Sequence, residues 1–152
     1  MGRVPTIVDG DIVLHESAAI CLYLADRYSY GKLAPKMDDV KLRAEYTKWM
    51  VFSVGSLEAV IARMFTHVNT PEESAVTYKY VKEQSEFFKL VLNPILEKQE
   101  YILESGFSAA DIMLAAVIPG AHDYLVKGNP PLERYMERMK ARPAAIKVKV
   151  FE

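Results

Sequence analysis

The sequence predicts an α+β fold, with a short β-hairpin and one helix at the N-terminal end and an all-helical remainder. Two aliphatic runs, at positions 6–8 and 12–14, flank Asp9-Gly10-Asp11, and an Asp-Gly between such runs is a strong hairpin signal. Beyond residue 38, apolar residues recur close to a period of 3.6, which is typical of helices. The 152 residues, 51% of them hydrophobic, suit one ordinary core or two unequal lobes.

The junction between hairpin and helix contains a candidate binding site. Pro5 has no amide hydrogen, so we expect it at the start of the first strand, on an edge or at a bend. Ser17 precedes an apolar periodic run and is the predicted N-cap of a helix whose first-turn amides offer a seat for a carboxylate. Glu16 beside it would attract an ammonium group. The pair therefore suits the zwitterionic end of an amino acid.

The helical remainder begins after a linker at 29–36. Apolar spacing predicts a long amphipathic helix through positions 42–64, and Gly55 within it is expected to mark close packing against another helix. The next helix should begin at Thr70-Pro71 with a cap and acids in the first turn. Because an interior proline removes a helical hydrogen bond, a kink or break is expected at Asn93-Pro94, with helix resuming through Glu100.

The strongest helix start is the segment 107–112. Ser108 is placed to cap, and Asp111 stands at the reciprocal position of a capping box. A capping role for Asp111 is favoured over a catalytic one, and the apolar stretch that follows predicts a helix buried on most sides. Pro130-Pro131 begins a further helix, which Arg142-Pro143 ends.

Composition argues against several classes of function. A net charge of −1 gives no support for nucleic-acid binding, and the basic residues near the C-terminus fit a solvated helix face. Cys21 is the only cysteine, which fits a reducing compartment and a small buried side chain. His15, His67 and His122 lack metal-ligand spacing, so no metal is expected. Without a signal-peptide pattern or an unbroken run of about 18 apolar residues, we expect no membrane association and a cytoplasmic location.

The order of these motifs resembles the glutathione transferase family. The resemblance rests on Val4-Pro5, the hairpin, Glu16-Ser17 and an amphipathic helix that contains Leu22-Tyr23-Leu24. It implies a cis bond at Val4-Pro5 and pairing of the Val4 backbone with the cysteinyl backbone of glutathione. It also implies that Glu16 and Ser17 hold the γ-glutamyl group.

Further site and domain assignments follow from the same resemblance. Arg3 stands where a basic residue often assists the glycine end of glutathione. Residues 1–30 would be the C-terminal half of a thioredoxin-like glutathione-binding domain, 31–37 a linker, and 38–152 an all-helical bundle domain of the glutathione transferase type. Trp49, Met50 and Phe52 are better explained by core packing than by a substrate pocket.

The resemblance implies an activity for which these 152 residues supply only part of the machinery. Family members begin with a strand, a helix and a second strand that precede the Val-Pro turn and carry the Tyr, Ser or Cys that activates the thiol. No residue of this sequence occupies that position, so no catalytic residue is assigned. With that segment supplied, the expected function is conjugation of glutathione, as co-substrate, to small electrophiles by a homodimer. A non-catalytic interaction module and a truncated inactive product remain as alternatives.

Overall fold

The N-terminal part of the chain forms the predicted hairpin. A computed structural model describes residues 2, 4–65 and 70–151. Strand β1 (Thr6–Asp9) pairs antiparallel with β2 (Ile12–His15), in a register that places Thr6 opposite His15 and Asp9 opposite Ile12. Gly10 has a φ of 61°, a conformation that glycine adopts in a tight turn without a steric penalty.

Helices make up most of the remaining described residues. The seven α-helices are α1 (Ser17–Tyr28), α2 (Val40–Phe52), α3 (Ala59–Ile61), α4 (Pro71–Leu96), α5 (Ala109–Val117), α6 (Pro130–Lys140) and α7 (Pro143–Val148). Shorter turns of other helix types connect some of them: π-helical Ser53–Glu58 and His122–Val126, and 3₁₀-helical Ala62–Met64 and Ile118–Ala121. The predicted α+β fold is therefore confirmed, with a small sheet followed by helices.

Helix α5 lies at the centre of the core. Six of its nine residues are buried, and α1 and α2 both pack against it. Leu114 in α5, Met50 in α2 and Leu132 in α6 are all fully buried. Such a helix, covered on most of its faces, agrees with the nearly continuous apolar sequence that predicted it.

The start of α5 is fixed by a buried polar network. Ser108 and Asp111 form the predicted reciprocal capping box. The Asp111 carboxylate also accepts hydrogen bonds from the Ile102 amide at 2.8 Å and the Tyr135 hydroxyl at 3.2 Å. Burial raises the pKa of Asp111, while these donors and the Ser108 amide oppose the shift. The carboxylate is fully occupied by structural contacts, which supports the capping role over a catalytic one.

The long helix predicted over positions 42–64 is present, although it is not a uniform α-helix. It passes from α2 through the π-helical segment into α3 and the 3₁₀ turn that ends at Met64. The expected close packing at Gly55 is wrong, because a Cβ atom there would meet only Val51 at an ordinary 3.8 Å. Close approach occurs at Gly120 instead, where a Cβ would lie 2.6 Å from the Ile61 side chain.

Of the kink or break expected at Asn93-Pro94, the break is wrong. Helix α4 continues through Pro94 and ends at Leu96, so the helix does not extend to Glu100. The carbonyl that loses its partner to Pro94 is that of Leu90, four residues earlier. Because Leu90 is 75% exposed, this carbonyl lies on the water-facing side of the helix, where solvent can satisfy it.

Within the described part of the chain, one stretch is long and apolar enough to cross a membrane by length and composition. It spans Ala109–Val126, with a mean hydropathy of 1.2, and 56% of it is buried inside the fold. It comprises α5 and the two short turns after it. Its apolar character is therefore accounted for by the protein's own core.

Candidate functional site

Four of the five predicted site residues line one cavity at the N-terminal end, here called the N-terminal cavity. Its volume is about 380 Å³, and its walls are Val4, Pro5, His15, Glu16, Ser17, Ala18, Val54 and Glu58. The fifth predicted residue, Arg3, lies outside the described residues. A cavity of this size is within the range that binds small ligands.

The hairpin register brings together the four predicted site residues that line this cavity. Thr6 is opposite His15, so the residue before β1 and the residue after β2, Pro5 and Glu16, lie at the same end of the sheet. The Val4–Pro5 bond is cis, as the family resemblance implies. Val4 is 94% exposed, and its backbone makes no hydrogen bond to other described main-chain groups. An extended peptide would therefore find this backbone available.

Glu16 has an unusual backbone conformation, with φ at 73°. A side-chain-bearing residue in this region stores roughly 1–3 kcal/mol of strain, and such residues cluster at functional sites. The Glu16 carbonyl accepts the first helical hydrogen bond, from the Ile20 amide at 2.9 Å. Glu16, and not Ser17, is therefore the N-cap of α1.

The predicted capping role of Ser17 is accordingly wrong. Ser17 is the first residue of α1, and the N-cap side chain makes no capping hydrogen bond. The first-turn amides of a helix have no carbonyl partner within it. The first residues of α1, Ser17 and Ala18, line the N-terminal cavity, so the partial positive charge of this helix end lies beside it and suits a carboxylate.

Helix α1 is fastened to the hairpin by a polar cluster around Asp9. The Tyr23 hydroxyl donates to the Asp9 carboxylate at 2.7 Å, the Tyr28 hydroxyl also donates to it, and Arg27 forms an ion pair with it at 3.2 Å. The hydrogen bonds from Tyr28 and Tyr23 lower the pKa of Asp9. The two sides of the N-terminal cavity are therefore held in a fixed relation.

A second fastening joins α1 to α2. The Arg43 guanidinium donates to both oxygens of Asp26, at 2.7 and 2.6 Å, and to the Pro35 carbonyl at 2.9 Å. Two parallel bonds from one planar group fix geometry as well as charge. Helix α2 leads into the π-helical segment that supplies Val54 and Glu58 to the cavity, so this bond fixes the opposite wall too.

The other reactive side chains have structural roles. Tyr23 and Tyr28 bind Asp9, and the Tyr30 hydroxyl accepts from the Met37 amide at 2.7 Å. Cys21 is partly buried against the core, and burial raises the pKa of its thiol, which opposes formation of the nucleophilic thiolate. Among the described residues, no group of three or more potential metal ligands occurs.

Sequence reasoning missed four cavity residues: His15, Ala18, Val54 and Glu58. His15 was considered only as a metal ligand. Val54 and Glu58 belong to the long helix and have no sequence motif in common with the hairpin. Trp49 and Met50, at 2% and 0% exposure, lie in the core as expected.

Known glutathione S-transferases are similar to this chain in sequence. No family model matches. The chain is 29% identical to glutathione S-transferase F14 of Arabidopsis thaliana over 99% of its own length and 64% of that relative. It is also 29% identical to glutathione S-transferase D6 of Drosophila melanogaster, over 92% of this chain and 65% of that relative. The chain thus spans slightly less than two thirds of these relatives.

Solved structures of glutathione S-transferases are also similar to this chain. A sphingomonad glutathione S-transferase, solved in complex with glutathione, superposes with a TM-score of 0.77 at 25% identity, covering 99% of this chain and 76% of that one. The fold is therefore that of a partial thioredoxin-like domain followed by the helical domain of glutathione transferases. The resemblance to the glutathione transferase family, which the sequence motifs predicted, is confirmed: the relatives and structural neighbours of this chain are glutathione S-transferases.

Proposed function

We propose that the residues around the N-terminal cavity form the glutathione-binding part of a glutathione transferase. The observation that carries the proposal is the meeting of Val4, Pro5, Glu16 and Ser17 at the N-terminal cavity, beside the amides of α1. A solved neighbour with the same fold is a complex with glutathione. The reaction is conjugation of the glutathione thiolate to a small electrophile.

The proposal assigns a partner in this chain to each part of glutathione. The α-carboxylate of the γ-glutamyl end would bind the first-turn amides of α1 and the Ser17 hydroxyl, because both donate hydrogen bonds. The α-ammonium would bind the Glu16 carboxylate. The cysteinyl backbone would pair with the exposed backbone of Val4, and Arg3 would assist at the glycine end.

The residues around the N-terminal cavity bind and orient glutathione. Activation of its thiol requires another group. A thiol with a pKa near 8.5 is mostly protonated at pH 7, so a donor to the sulfur is needed to favour thiolate. In the proposed enzyme this donor belongs to the strand–helix–strand unit that precedes the Val-Pro turn in the family. The electrophile then accepts the thiolate sulfur and releases its leaving group, or takes up a proton after addition.

The remaining assignments belong to the same proposal. Residues 1–30 form the glutathione-binding half-domain, 31–37 the linker and 38–152 the helical domain. The protein is a cytoplasmic homodimer that uses no metal. Its subunits associate through surfaces around α1 and α2. Nucleic acids and membranes are not among its partners.

Isothermal calorimetry of glutathione binding tests this site. Glu16→Ala combined with Ser17→Ala should abolish the binding heat, because both groups that fix the zwitterionic end are lost. Glu104-Ser105 is the same dipeptide in an exposed loop, so Glu104→Ala with Ser105→Ala is a matched control that should bind as the wild type does. Equal heats for both double variants, with unchanged thermal midpoints, would disprove the proposed site.

A second candidate, a non-catalytic interaction module, is favoured by the apolar surface of the hairpin. Val8 and Val13 are 71% and 66% exposed. Exposed apolar surface of this kind marks interaction sites. The module predicts weak or absent glutathione binding, whereas the enzyme predicts binding and gains transferase activity when the preceding unit is joined to the chain.

A further inference from the structure

A second cavity, here called the C-terminal cavity, lies where the end of the chain packs against α5. Its volume is about 380 Å³, and it is bounded by Leu33 of the linker, by α5, by the end of α6 and by α7 with the residues that follow it. It shares no lining residue with the N-terminal cavity. A space of this size can hold a small organic molecule.

The walls of the C-terminal cavity are apolar. All of its lining residues except Arg142 have aliphatic, aromatic or thioether side chains. Ile112 on α5 is 39% exposed, and Val148 and Val150 near the end of the chain are 69% and 51% exposed. Exposed apolar side chains gathered around one concave space are typical of a ligand site. The cavity therefore favours a ligand with an apolar body.

Arg142 supplies the charge at this wall, and the structure holds it in place. Its amide donates to the Met139 carbonyl at 3.3 Å, and its carbonyl accepts from the Ile146 amide at 3.0 Å. The centre of its guanidinium lies 3.2 Å from the centroid of the Phe107 ring. The face of an aromatic ring attracts a guanidinium, and the planar group stacks on it. The cation is therefore preorganised beside the apolar space.

The Arg142 guanidinium has no anionic partner in the described part of the chain. No described residue forms an ion pair with it or accepts a hydrogen bond from it. Other arginines differ: Arg43 donates to Asp26 at 2.6 Å, and Arg138 donates to the Glu100 carbonyl at 3.1 Å. The N–H donors of a guanidinium form a planar fork that matches a carboxylate. At Arg142 this fork is available to a ligand.

We propose that the C-terminal cavity is a binding site for amphipathic monocarboxylates, small molecules with an apolar body and one carboxylate. The apolar body lies against α5 and α7, where it removes exposed apolar surface from water. The carboxylate accepts hydrogen bonds from Arg142, and the single cation matches a single negative charge. This site is separate from the one in the proposed function, so the inference does not depend on glutathione binding.

Calorimetry with 2-naphthoate and 2-naphthamide tests the role of the charge, because these probes share one ring system and differ in charge. The wild type should bind naphthoate more tightly than naphthamide. Arg142→Gln should weaken naphthoate binding about three- to tenfold, the range for a charged hydrogen bond at a partly exposed site, and should change naphthamide binding less than about twofold. Arg138→Gln should change neither value, because Arg138 lies over the Tyr101 ring outside the cavity.

A cavity-filling variant tests the place of the apolar body. Ala116 is an exposed residue of α5 at the cavity wall, so Ala116→Phe adds a ring to the cavity without entering the core. It should weaken the binding of both probes about fivefold or more, because the ring takes up their space. Ala75→Phe is the matched control, the same change at an exposed alanine of α4, and should bind both probes as the wild type does.

Several results would overturn the inference. Equal Kd values for the two probes in the wild type, or naphthoate binding that Arg142→Gln leaves unchanged in a variant with the wild-type thermal midpoint, would show that Arg142 does not hold the carboxylate. Unchanged binding in Ala116→Phe would place the probes elsewhere, and a Kd that rises with protein concentration would place a second copy of the chain over the cavity. Saturating naphthoate should leave glutathione binding unaltered, and competition between them would also contradict a separate site. A wild type that binds naphthoate but not glutathione refutes the proposed function alone.

Discussion

At the scale of single residues, Asp111 shows how one buried carboxylate can organise several elements. It caps α5 and accepts hydrogen bonds from the Ile102 amide, the Ser108 amide and the Tyr135 hydroxyl, while being fully buried. These donors come from the loop before α5, from its N-cap and from α6. Loss of the carboxylate therefore affects three parts of the fold at once.

We expect Asp111→Ala to lower the free energy of unfolding by about 2–4 kcal/mol, because a lost cap costs about 1 kcal/mol and the buried Ile102 amide, left without its partner, about 1–3 kcal/mol. Urea denaturation measures this. Asp39→Ala is the comparison, since Asp39 caps α2 through one exposed hydrogen bond to the Leu42 amide and should cost about 1 kcal/mol or less. Equal losses in the two variants would show that burial of Asp111 adds nothing.

At the scale of elements, two glycines in the helical part have opposite surroundings. Gly120 follows α5 and faces Ile61 of α3, where a Cβ would come within 2.6 Å of a β-branched side chain. Gly55 lies in the π-helical segment, where a Cβ would have room. One glycine is required by the packing of two elements, and the other is not.

Alanine substitution should therefore change stability in opposite directions. Gly120→Ala should lose about 1–3 kcal/mol through overpacking, and Gly55→Ala should gain about 0.5–1 kcal/mol because alanine is the better helix former. Both changes add the same methyl group, so each is the control of the other in urea denaturation. In a double-mutant cycle, Gly120→Ala should cost less in an Ile61→Ala background than in the wild type, because the contacting atoms are gone. A stabilised Gly120→Ala would refute the close approach.

Local features of these elements can be predicted from the sequence, whereas contacts between elements cannot. Capping boxes such as Thr70 with Glu73 are local, so spacing in the chain finds them. The roles of Gly55 and Gly120 depend on contacts between elements, which no spacing records. The continuity of α4 through Pro94 depends on which side of the helix faces water.

The candidate site also contains residues that the sequence predicts and residues that only the fold reveals. Glu16 and Ser17 were found from their order in the chain, but the backbone of Glu16 that makes it the N-cap was not. Glu58 carried no signal at all, because it lines the same cavity as Glu16 only in the folded chain, where residues 42 positions apart come together. Motifs identify residues that act through local geometry, and the fold identifies the rest.

At the scale of the whole molecule, the hairpin depends on its neighbours. An isolated two-stranded sheet is marginally stable in water. Here β2 contacts α1, and α1 contacts α5, so the sheet is connected to the helical core through one helix. Apolar side chains nevertheless remain exposed on the hairpin and on α2, including Val8 at 71% and Val51 at 59%. Surface of this kind is available for association.

The proposed homodimer uses the surfaces around α1 and α2, and Val51 lies exposed on α2. Val51→Lys should weaken the dimer, because association would bury an unpaired ammonium group. Val76→Lys is the matched control: Val76 is 70% exposed on α4, outside the proposed surfaces, so that variant should remain dimeric. Sedimentation velocity over a range of concentrations measures the change. A monomeric wild type, or a Val51→Lys variant that dimerises as strongly as Val76→Lys, would place association elsewhere or exclude it.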